Sequence, residues 1–225
     1  MQKLIRGIVD FRKNTRPLYK DTFARLALGQ RPDTLFIACS DSRVVPNLFA
    51  SSDPGDLFVI RNVGNLIPPC GEQGRSASDE SEAAALEFAL MNLPVDQIIV
   101  CGHSECGAMI SLAHGRENVK APNFRNWLRH GDISLRNLDG EHGDAHLSRH
   151  NRLSQLNVLE QIGHLKTYPV VAERVIKGTL HLHGWWFDIR EAEVYEFDEG
   201  EGQFHLIDER YAEVLIDRAN QRPTV

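Results

Sequence analysis

Two short apolar segments of the sequence each lead to residues that can bind a metal ion. Cys39 ends the apolar run 34–39, and the run 98–101 leads directly into His103-Ser-Glu-Cys106. Thiolate sulfur and imidazole nitrogen are the donors that zinc prefers, and His103 and Cys106 are spaced to face one point on a strand-to-helix turn. With Cys39 as the third donor, one tetrahedral position stays open, as in a catalytic rather than a structural zinc site. The spacing therefore favours a zinc enzyme.

Other interpretations of these residues stay open on the sequence alone. Free cysteine is among the most buried residue types, so Cys39, Cys70 and Cys101 could simply pack in a core. A His-x-x-Cys pair also arises by chance in a chain with 10 histidines. Cys101 lies two residues before His103, on the same face of a strand, so a closed structural site with four ligands is a further alternative.

A charged pair follows the first cysteine, with Asp41 two residues and Arg43 four residues after Cys39. On a solvated surface such a pair contributes little to stability. Beside a bound metal, Arg43 could instead hold the carboxylate off the metal and fix its orientation. Asp41 could then accept a proton from metal-bound water, and the pair would take part in the chemistry.

The elements that must position these residues follow from the hydrophobic pattern. The runs 34–39, 57–60 and 98–101 are too continuously apolar to alternate, which is typical of strands buried on both faces. Helix-forming segments follow the second and third runs, one at 83–91 and one that begins at 108. This order predicts an α/β fold, a mainly parallel β-sheet flanked by helices, with its site beyond the carboxyl ends of the strands.

The remaining segments are less regular. Residues 1–28 predict a helical arm of two amphipathic helices divided at Pro17, because proline disfavours a helical conformation in the residue before it. The polar stretch 120–152 predicts a surface excursion with short helices. Beyond it we expect, in order, a helix with an apolar face at 153–165, a helix at 170–176, a strand from 179, an antiparallel edge strand at 193–197 and a poorly defined tail at 199–225. No linker or repeat is visible, so residues 1–225 are expected to form a single domain.

Composition argues against several classes of protein. The 225 residues, 42% of them hydrophobic and 25% charged, are ordinary for a globular chain with a sizeable core. A net charge of −6 without a strongly basic run argues against nucleic acid as a partner. No apolar stretch approaches the about 18 residues of a membrane helix. Four cysteines in a chain of this length predict reduced thiols, and no leader is recognisable, so a cytoplasmic location is expected.

Three motifs together resemble those of the β-class carbonic anhydrases. They are Cys39-Ser-Asp-Ser-Arg43, Arg61-Asn-Val-Gly-Asn65 and Cys101-Gly-His-Ser-Glu-Cys-Gly107. The resemblance extends from about residue 19 to about residue 198 and leaves only the two ends of the chain unmatched. It implies the β-carbonic anhydrase fold.

The resemblance also implies roles for the candidate residues. Zinc (Zn²⁺) would be bound by Cys39, His103 and Cys106, in agreement with the spacing argument. Asp41 and Arg43 would form the catalytic dyad, and a zinc-bound hydroxide would hydrate carbon dioxide reversibly to bicarbonate and a proton. In related enzymes the aspartate that matches Asp41 also closes the site as a fourth zinc ligand at lower pH, which we expect here only as a minor state.

A substrate pocket for carbon dioxide and bicarbonate is implied in the same way. Its lining residues would be Gln30, Phe58, Val63, Phe88 and Gly107. Gln30 and the Gly107 amide would donate hydrogen bonds to bicarbonate. In this family the pocket lies at a dimer interface across which the N-terminal helices reach, so a homodimer or a dimer of dimers is expected.

One position departs from some bacterial relatives, which have an inhibitory bicarbonate site. That site uses a tryptophan three residues before the first cysteine ligand, and here the residue is Phe36. Ala38 also replaces a glycine, whereas Arg61 matches. Without the indole donor, we predict no strong inhibition by bicarbonate and an open zinc site at neutral pH.

Two alternatives to carbon dioxide hydration remain. Fold and ligands do not fix the substrate, so the same site could serve a hydrolase of carbon disulfide or carbonyl sulfide. The chain could also be a non-catalytic zinc-binding module whose site is closed by a fourth thiolate or by a carboxylate. For a hydratase, two thiolates would offset the charge of zinc, so we predict activity that rises with pH above neutral.

Overall fold

A computed structural model of the chain describes residues 1–78, 80–138 and 146–221. The strands are β1 (Thr34–Cys39), β2 (Leu57–Asn62), β3 (Gln97–His103), β4 (His181–Asp188), β5 (Glu193–Asp198) and β6 (Gln203–Leu206). The α-helices are α1 (Gln2–Asp10), α2 (Arg16–Leu26), α3 (Pro46–Phe49), α4 (Ser81–Asn92), α5 (Gly107–Ala113), α6 (Pro122–Trp127), α7 (Asp132–Leu138), α8 (Arg149–Lys166), α9 (Pro169–Ile176) and α10 (Glu209–Asn220). Short 3-10 turns at Arg116–Asn118 and Leu128–Gly131 lie between α5, α6 and α7.

The strands form a six-stranded sheet in the order β2-β1-β3-β4-β5-β6. The first four are parallel, with β1 paired to both β2 and β3. β5 and β6 extend the far edge as antiparallel strands. The predicted α/β architecture is therefore confirmed, although two antiparallel strands lie where one edge strand was expected.

β1 is buried on both faces, as its unbroken apolar sequence predicts. On one face Leu35 and Ile37 pack with side chains of α4, α8 and α9. On the other face Phe36 and Ala38 pack with Phe49 and with side chains of β4. Close packing on both sides leaves a strand little freedom to move, so the carboxyl end of β1 is a rigid support for a site.

The N-terminal arm is a continuous helical segment rather than two separate helices. A π-helical turn at Phe11–Thr15 joins α1 to α2, and Pro17 lies in the first turn of α2. Proline has no N–H to donate and its ring crowds the carbonyl four residues earlier. The wider π turn relieves that conflict, so the chain stays helical where the sequence predicted a division.

The stretch 120–152 contains short helices, as predicted, but it is not confined to the surface. Leu128 and Leu138 are fully buried and pack with Met109 and Leu112. These two leucines are too widely separated by polar residues to give a hydrophobic period in the sequence. Residues 139–145 of this stretch lie outside the described residues.

The tail, expected to be poorly defined, contains β6 and α10 as far as residue 221. The Asp208 side chain caps α10 by accepting a hydrogen bond from the Tyr211 amide at 2.8 Å. Arg218 Nη1 donates to Asp198 Oδ2 at 2.7 Å and so ties the helix to β5. A four-residue strand and a charged helix give only weak sequence patterns, and residues 222–225 lie outside the described residues.

Candidate metal centre

The carboxyl ends of β1 and β3 bring the three predicted ligands together. The strands are adjacent and parallel, with Ala38 in register with Cys101, so Cys39 lies beside the segment that leads to His103. The chain then turns and presents Cys106 immediately before α5. The sulfur atoms of the two ligand cysteines and a ring nitrogen of His103 all lie within 4.8 Å of one another. This is the ligand set that the sequence predicts.

The His103 ring is fully buried and oriented by its own turn. Its Nδ1 lies 2.8 Å from the carbonyl oxygen of Ser104, and because a carbonyl can only accept, Nδ1 carries the proton. Nε2 then has a free lone pair, and it is buried without a hydrogen-bond partner. A buried nitrogen without a partner is unfavourable unless a ligand completes it, so the ring fits a metal ion.

The two ligand cysteines are buried and interact with each other. A hydrogen bond from the Cys106 thiol lowers the pKa of Cys39 to about 4, and the Gly64 amide, 3.3 Å from the sulfur, lowers it as well. The same interaction between the two cysteines, together with burial, raises the pKa of Cys106. A bound divalent cation would hold both sulfurs as thiolates.

Cys101 and Cys70 do not belong to the ligand group. Cys101 is buried in the core with Phe36 and Ala38, and burial raises the pKa of its thiol. Within residues 1–78, 80–138 and 146–221, no further His, Cys, Asp or Glu joins the three donors. In the described part of the chain, no fourth protein ligand is therefore in place in this conformation.

The loop after β2 fits closely over the Cys39 sulfur. Gly64 has a φ of 85°, and a Cβ at this position would lie only 2.8 Å from the Cβ of Ala108. Only glycine can therefore bring its amide to the sulfur here. The Asn62 side chain fixes the loop, since its Nδ2 donates to the Leu66 carbonyl at 2.7 Å and its Oδ1 accepts from the Leu66 amide at 2.8 Å.

The turn between His103 and Cys106 is strained and is stabilised by α8. Glu105 has a positive φ of 55°, a conformation that costs a non-glycine residue about 1 kcal/mol or more. Asn151 accepts a hydrogen bond from the Glu105 amide at 2.8 Å and donates to its carboxylate at 3.1 Å. His150 Nε2 lies 3.1 Å from the same carboxylate, and this contact lowers the pKa of Glu105.

Asp41 and Arg43 form a bidentate pair beside the ligands. Arg43 Nε donates to Oδ1 at 2.9 Å and Nη2 donates to Oδ2 at 2.8 Å. These bonds hold the pKa of Asp41 well below its usual range, so it is a carboxylate at neutral pH. Nη2 also donates to the Glu105 carbonyl at 3.0 Å, which ties the pair to the ligand turn. Arg61 fixes the backbone by donating to the carbonyls of Cys39 and Asp41 at 2.9 and 2.7 Å.

Two of the five predicted pocket residues lie at the metal centre of their own chain. Val63 directly precedes Gly64, and its carbonyl accepts a hydrogen bond from Trp127 Nε1 at 2.7 Å. Gly107 directly follows Cys106 and begins α5, so its amide is next to a ligand.

The other three pocket residues lie away from this centre. Phe58 and Phe88 stack on each other with ring centroids 5.8 Å apart. Phe58 pairs with Leu35, which is four residues before Cys39, or about 13 Å along the strand. Gln30 is exposed in the loop between α2 and β1, and it precedes the amino end of β1, whereas Cys39 lies at the carboxyl end of that strand. A single chain therefore does not assemble the whole pocket that the resemblance implies.

Phe36 is fully buried in the position where some bacterial relatives have tryptophan. Its ring packs edge-on against Trp185 at 5.9 Å and offers no hydrogen-bond donor. Arg61 is already bonded to backbone carbonyls, as described above. The absence of strong bicarbonate inhibition stays a prediction.

The local sequence pattern does not reveal the residues of α8 that hold the ligand loops, namely Asn151, Ser154 and Asn157. The helix was predicted from its apolar positions alone, which predict an apolar face. The signal that was available is the recurrence of polar residues every three positions within that helix.

Comparisons with known proteins agree with this geometry. Residues 34–194 match the carbonic anhydrase family model. The chain is 44% identical over 202 residues to the carbonic anhydrase of Synechocystis sp., covering 88% of this chain and 71% of the relative. It is 40% identical over 207 residues to that of Pseudomonas aeruginosa, covering 91% of this chain and 90% of the relative. The solved structure of the beta-carbonic anhydrase CcaA has a TM-score of 0.83 and 42% identity, with 93% of each chain covered.

Proposed function

The chain belongs to the β-class carbonic anhydrases, and we propose that it hydrates carbon dioxide reversibly to bicarbonate and a proton at a zinc ion bound by Cys39, His103 and Cys106. The observation that carries this proposal is the convergence of three buried donors, one of them the partnerless Nε2 of His103. Two sulfurs and one imidazole suit zinc better than they suit Mg²⁺ or Ca²⁺, which prefer oxygen. Three protein ligands leave a coordination position for water or substrate.

When bound, zinc would supply Lewis-acid activation that lowers the pKa of water and so provides a hydroxide nucleophile. Asp41 then acts as a hydrogen-bond acceptor for the reacting water and orients it. Because its pKa is held well below the usual range, Asp41 is an acceptor throughout the neutral and alkaline range. Arg43 occupies both oxygens of that carboxylate and so keeps it off the metal. The closed state, with Asp41 as a fourth ligand, is accordingly a minor state.

The substrate pocket combines an apolar wall with two donors. Phe58, Val63 and Phe88 provide apolar surface for carbon dioxide, which is itself nonpolar. Gln30 and the Gly107 amide donate hydrogen bonds to bicarbonate. Because Gln30, Phe58 and Phe88 lie away from their own metal centre, we propose that a second copy of the chain supplies them.

A homodimer, or a dimer of two such dimers, follows from the same argument. No residue of α1 is buried in the single chain, although the helix carries a row of apolar side chains. Packing against a second copy would remove that surface from water. A solved beta-carbonic anhydrase of Sordaria macrospora, 29% identical to this chain with a TM-score of 0.72, is tetrameric, which supports the larger assembly.

The proposal places the protein in the cytoplasm, where cysteines stay reduced, so that Cys39 and Cys106 are available to zinc. No helix in the part of the chain that the structure describes is long and apolar enough to cross a membrane. The partners are then the small-molecule substrates and further copies of the chain.

Stopped-flow hydration of carbon dioxide by purified protein of known zinc content tests the function. We expect fast turnover with zinc bound, and a rate that rises from about pH 6.5 to about pH 9, because two thiolates weaken the pull of zinc on its water. A flat profile over that range would contradict the alkaline prediction. No turnover with zinc bound would contradict the function and direct attention to carbon disulfide or carbonyl sulfide.

Two cysteine variants form a matched pair for this experiment. Cys39→Ala should lose both zinc and turnover, because it removes a ligand. Cys101→Ala removes a thiol that is also buried but lies outside the ligand group, so it should keep both. Equal effects of the two substitutions would show that the ligand assignment is wrong.

A further inference from the structure

α8 presents a line of buried polar side chains in addition to the apolar positions from which the sequence predicted the helix. These residues recur every three or four positions, and therefore share one face of the helix, at Asn151, Ser154, Asn157, Gln161 and His164. Ser154, Asn157 and Gln161 are almost completely buried. A buried polar group is unfavourable unless it finds a partner, so the partners of this polar stripe reveal what it does.

The first three residues of the polar stripe each contact a different part of the metal centre. Asn151 holds the strained Glu105 turn, as described above. Ser154 Oγ donates to the His103 carbonyl at 2.8 Å and lies 3.3 Å from the His103 amide, from which it accepts. Asn157 Nδ2 donates to the Gly64 carbonyl at 3.1 Å. Gly64 is the residue whose amide contacts the Cys39 sulfur.

The next residue of the stripe fixes the orientation of Asn157. Gln161 Nε2 donates to Asn157 Oδ1 at 3.0 Å, so the Asn157 amide nitrogen is the atom that faces Gly64. Gln161 Oε1 in turn accepts from the Ile67 amide at 2.7 Å, farther along the same loop. Asn157 is therefore held at both ends of its amide and has one available arrangement.

The approach of α8 to β3 is close enough to make these contacts direct. A Cβ at Gly102 would lie 2.7 Å from Val158 Cγ2 and 3.1 Å from the Ser154 carbonyl oxygen. Only glycine permits this approach, and it brings the Ser154 hydroxyl to the backbone of the neighbouring residue, His103. The Trp186 indole also donates to the Ser154 hydroxyl, at 3.2 Å.

We propose that Ser154 and Asn157 are positioning residues for the zinc ligands. Ser154 fixes the backbone of His103, and thereby the direction of the Nε2 lone pair. Asn157 acts through Gly64, whose amide must point at the Cys39 sulfur to stabilise its thiolate. The inference rests on the proposed zinc site. It adds that one face of α8 sets the geometry of the histidine ligand, His103, and of a cysteine ligand, Cys39. Groups that orient metal ligands commonly change metal affinity by about 10- to 100-fold when they are removed.

Ser154→Ala and Asn157→Leu test the proposal. Zinc release into excess chelator should be about 10-fold or more faster in each variant than in the wild type. Cobalt-substituted protein gives a second readout. Asn157→Leu should shift the sulfur-to-cobalt charge-transfer band, because it acts on Cys39, whereas Ser154→Ala should mainly change the ligand-field bands.

Val171→Ala is the matched control, since Val171 is also fully buried but lies on α9, outside the polar stripe. It should lower thermal stability without changing zinc release. Release at the wild-type rate in both test variants would overturn the proposal, and so would equal acceleration by Val171→Ala. If Asn157→Leu fails to fold, Ser154→Ala decides, because it removes a single oxygen. A wild type that binds zinc but does not hydrate carbon dioxide would contradict the proposed function. The rate of zinc release would still test the roles of Ser154 and Asn157.

Discussion

At the metal centre each ligand is at most 5% exposed, whereas in the N-terminal arm no side chain of α1 or α2 is buried. The centre is tied to the rest of the chain from several sides, by the Gly64 loop, by Arg61 and by α8. The arm instead presents apolar side chains to solvent, with Leu4 66% and Ile8 68% exposed. Both regions have a function in the proposed enzyme, but only the first is complete within one chain.

This difference separates two properties that are easily confused. Metal binding needs only contacts within the chain, so it should survive any change that keeps the chain apart from its copies. Turnover needs the pocket as well, and three of the five predicted pocket residues lie away from their own metal centre. Variants in the two regions should therefore affect zinc content, association and turnover in different combinations.

Among substitutions at the metal centre that leave zinc bound, Arg43→Ala is expected to cause the largest loss of turnover. The Arg43 side chain holds Asp41 through two hydrogen bonds and is not itself one of the three metal ligands, so turnover should fall by about 100-fold or more while zinc content is unchanged. Stopped-flow rates and metal analysis on the same sample measure both quantities. Arg43→Lys keeps the charge but loses the bidentate geometry, and should be intermediate. Loss of zinc from Arg43→Ala would show that Arg43 has a different role.

A charge on the apolar face of the arm should separate association from metal binding. Ile8→Glu should weaken self-association by about 30-fold, the loss expected for an anchor residue in an interface, and should lower turnover while zinc stays bound. Sedimentation velocity over a range of concentrations measures the association. Gln2→Glu adds the same charge to the same helix at a polar position and should leave association intact. A wild type that is monomeric at all concentrations would remove the proposed role of the arm.

The smallest effect concerns a region that belongs to neither the centre nor the arm. Hydrogen bonds led by that from Arg218 lower the pKa of Asp198 to about 2. The pKa in the folded protein is thus below the ordinary value of about 3.9, so the stabilisation is complete above that value and is lost as the pH falls toward 2. Arg218→Ala should reduce the free energy of unfolding only slightly at neutral pH, because Arg218 is exposed to solvent and Asp198 keeps its other partners.

Urea denaturation of wild type and Arg218→Ala at neutral pH and near pH 2 measures this difference. The gap between the two proteins should shrink at low pH, and both should bind zinc and turn over equally at neutral pH. A changed rate of carbon dioxide hydration in Arg218→Ala would show that α10 influences the metal centre.

The features that the sequence predicts well are those with strong local signals. β1 and β3 were predicted because continuous apolar residues in a short run have few other structures available. The ligand set followed from His103 and Cys106 at three-residue spacing after such a strand. The order of strands and helices then led to a parallel sheet, whose geometry brings Cys39 to the same edge.

The features that the sequence missed depend on contacts between distant segments. Asn157 and Gly64 are 93 residues apart, so nothing local shows that one orients the other. The positive φ of Glu105 is stabilised by Asn151, which is 46 residues away along the chain. Gln30, Phe58 and Phe88 were assigned by family resemblance alone, and within one chain they have no contact with the centre that would have revealed their role.

The central claim is tested most directly by titrating zinc into metal-free protein while the rate of carbon dioxide hydration is followed. The rate should rise in proportion to added zinc and level off at one ion per chain, because Cys39, His103 and Cys106 form one site in each chain. A rate that does not depend on zinc, or full zinc occupancy without hydration, would contradict the account.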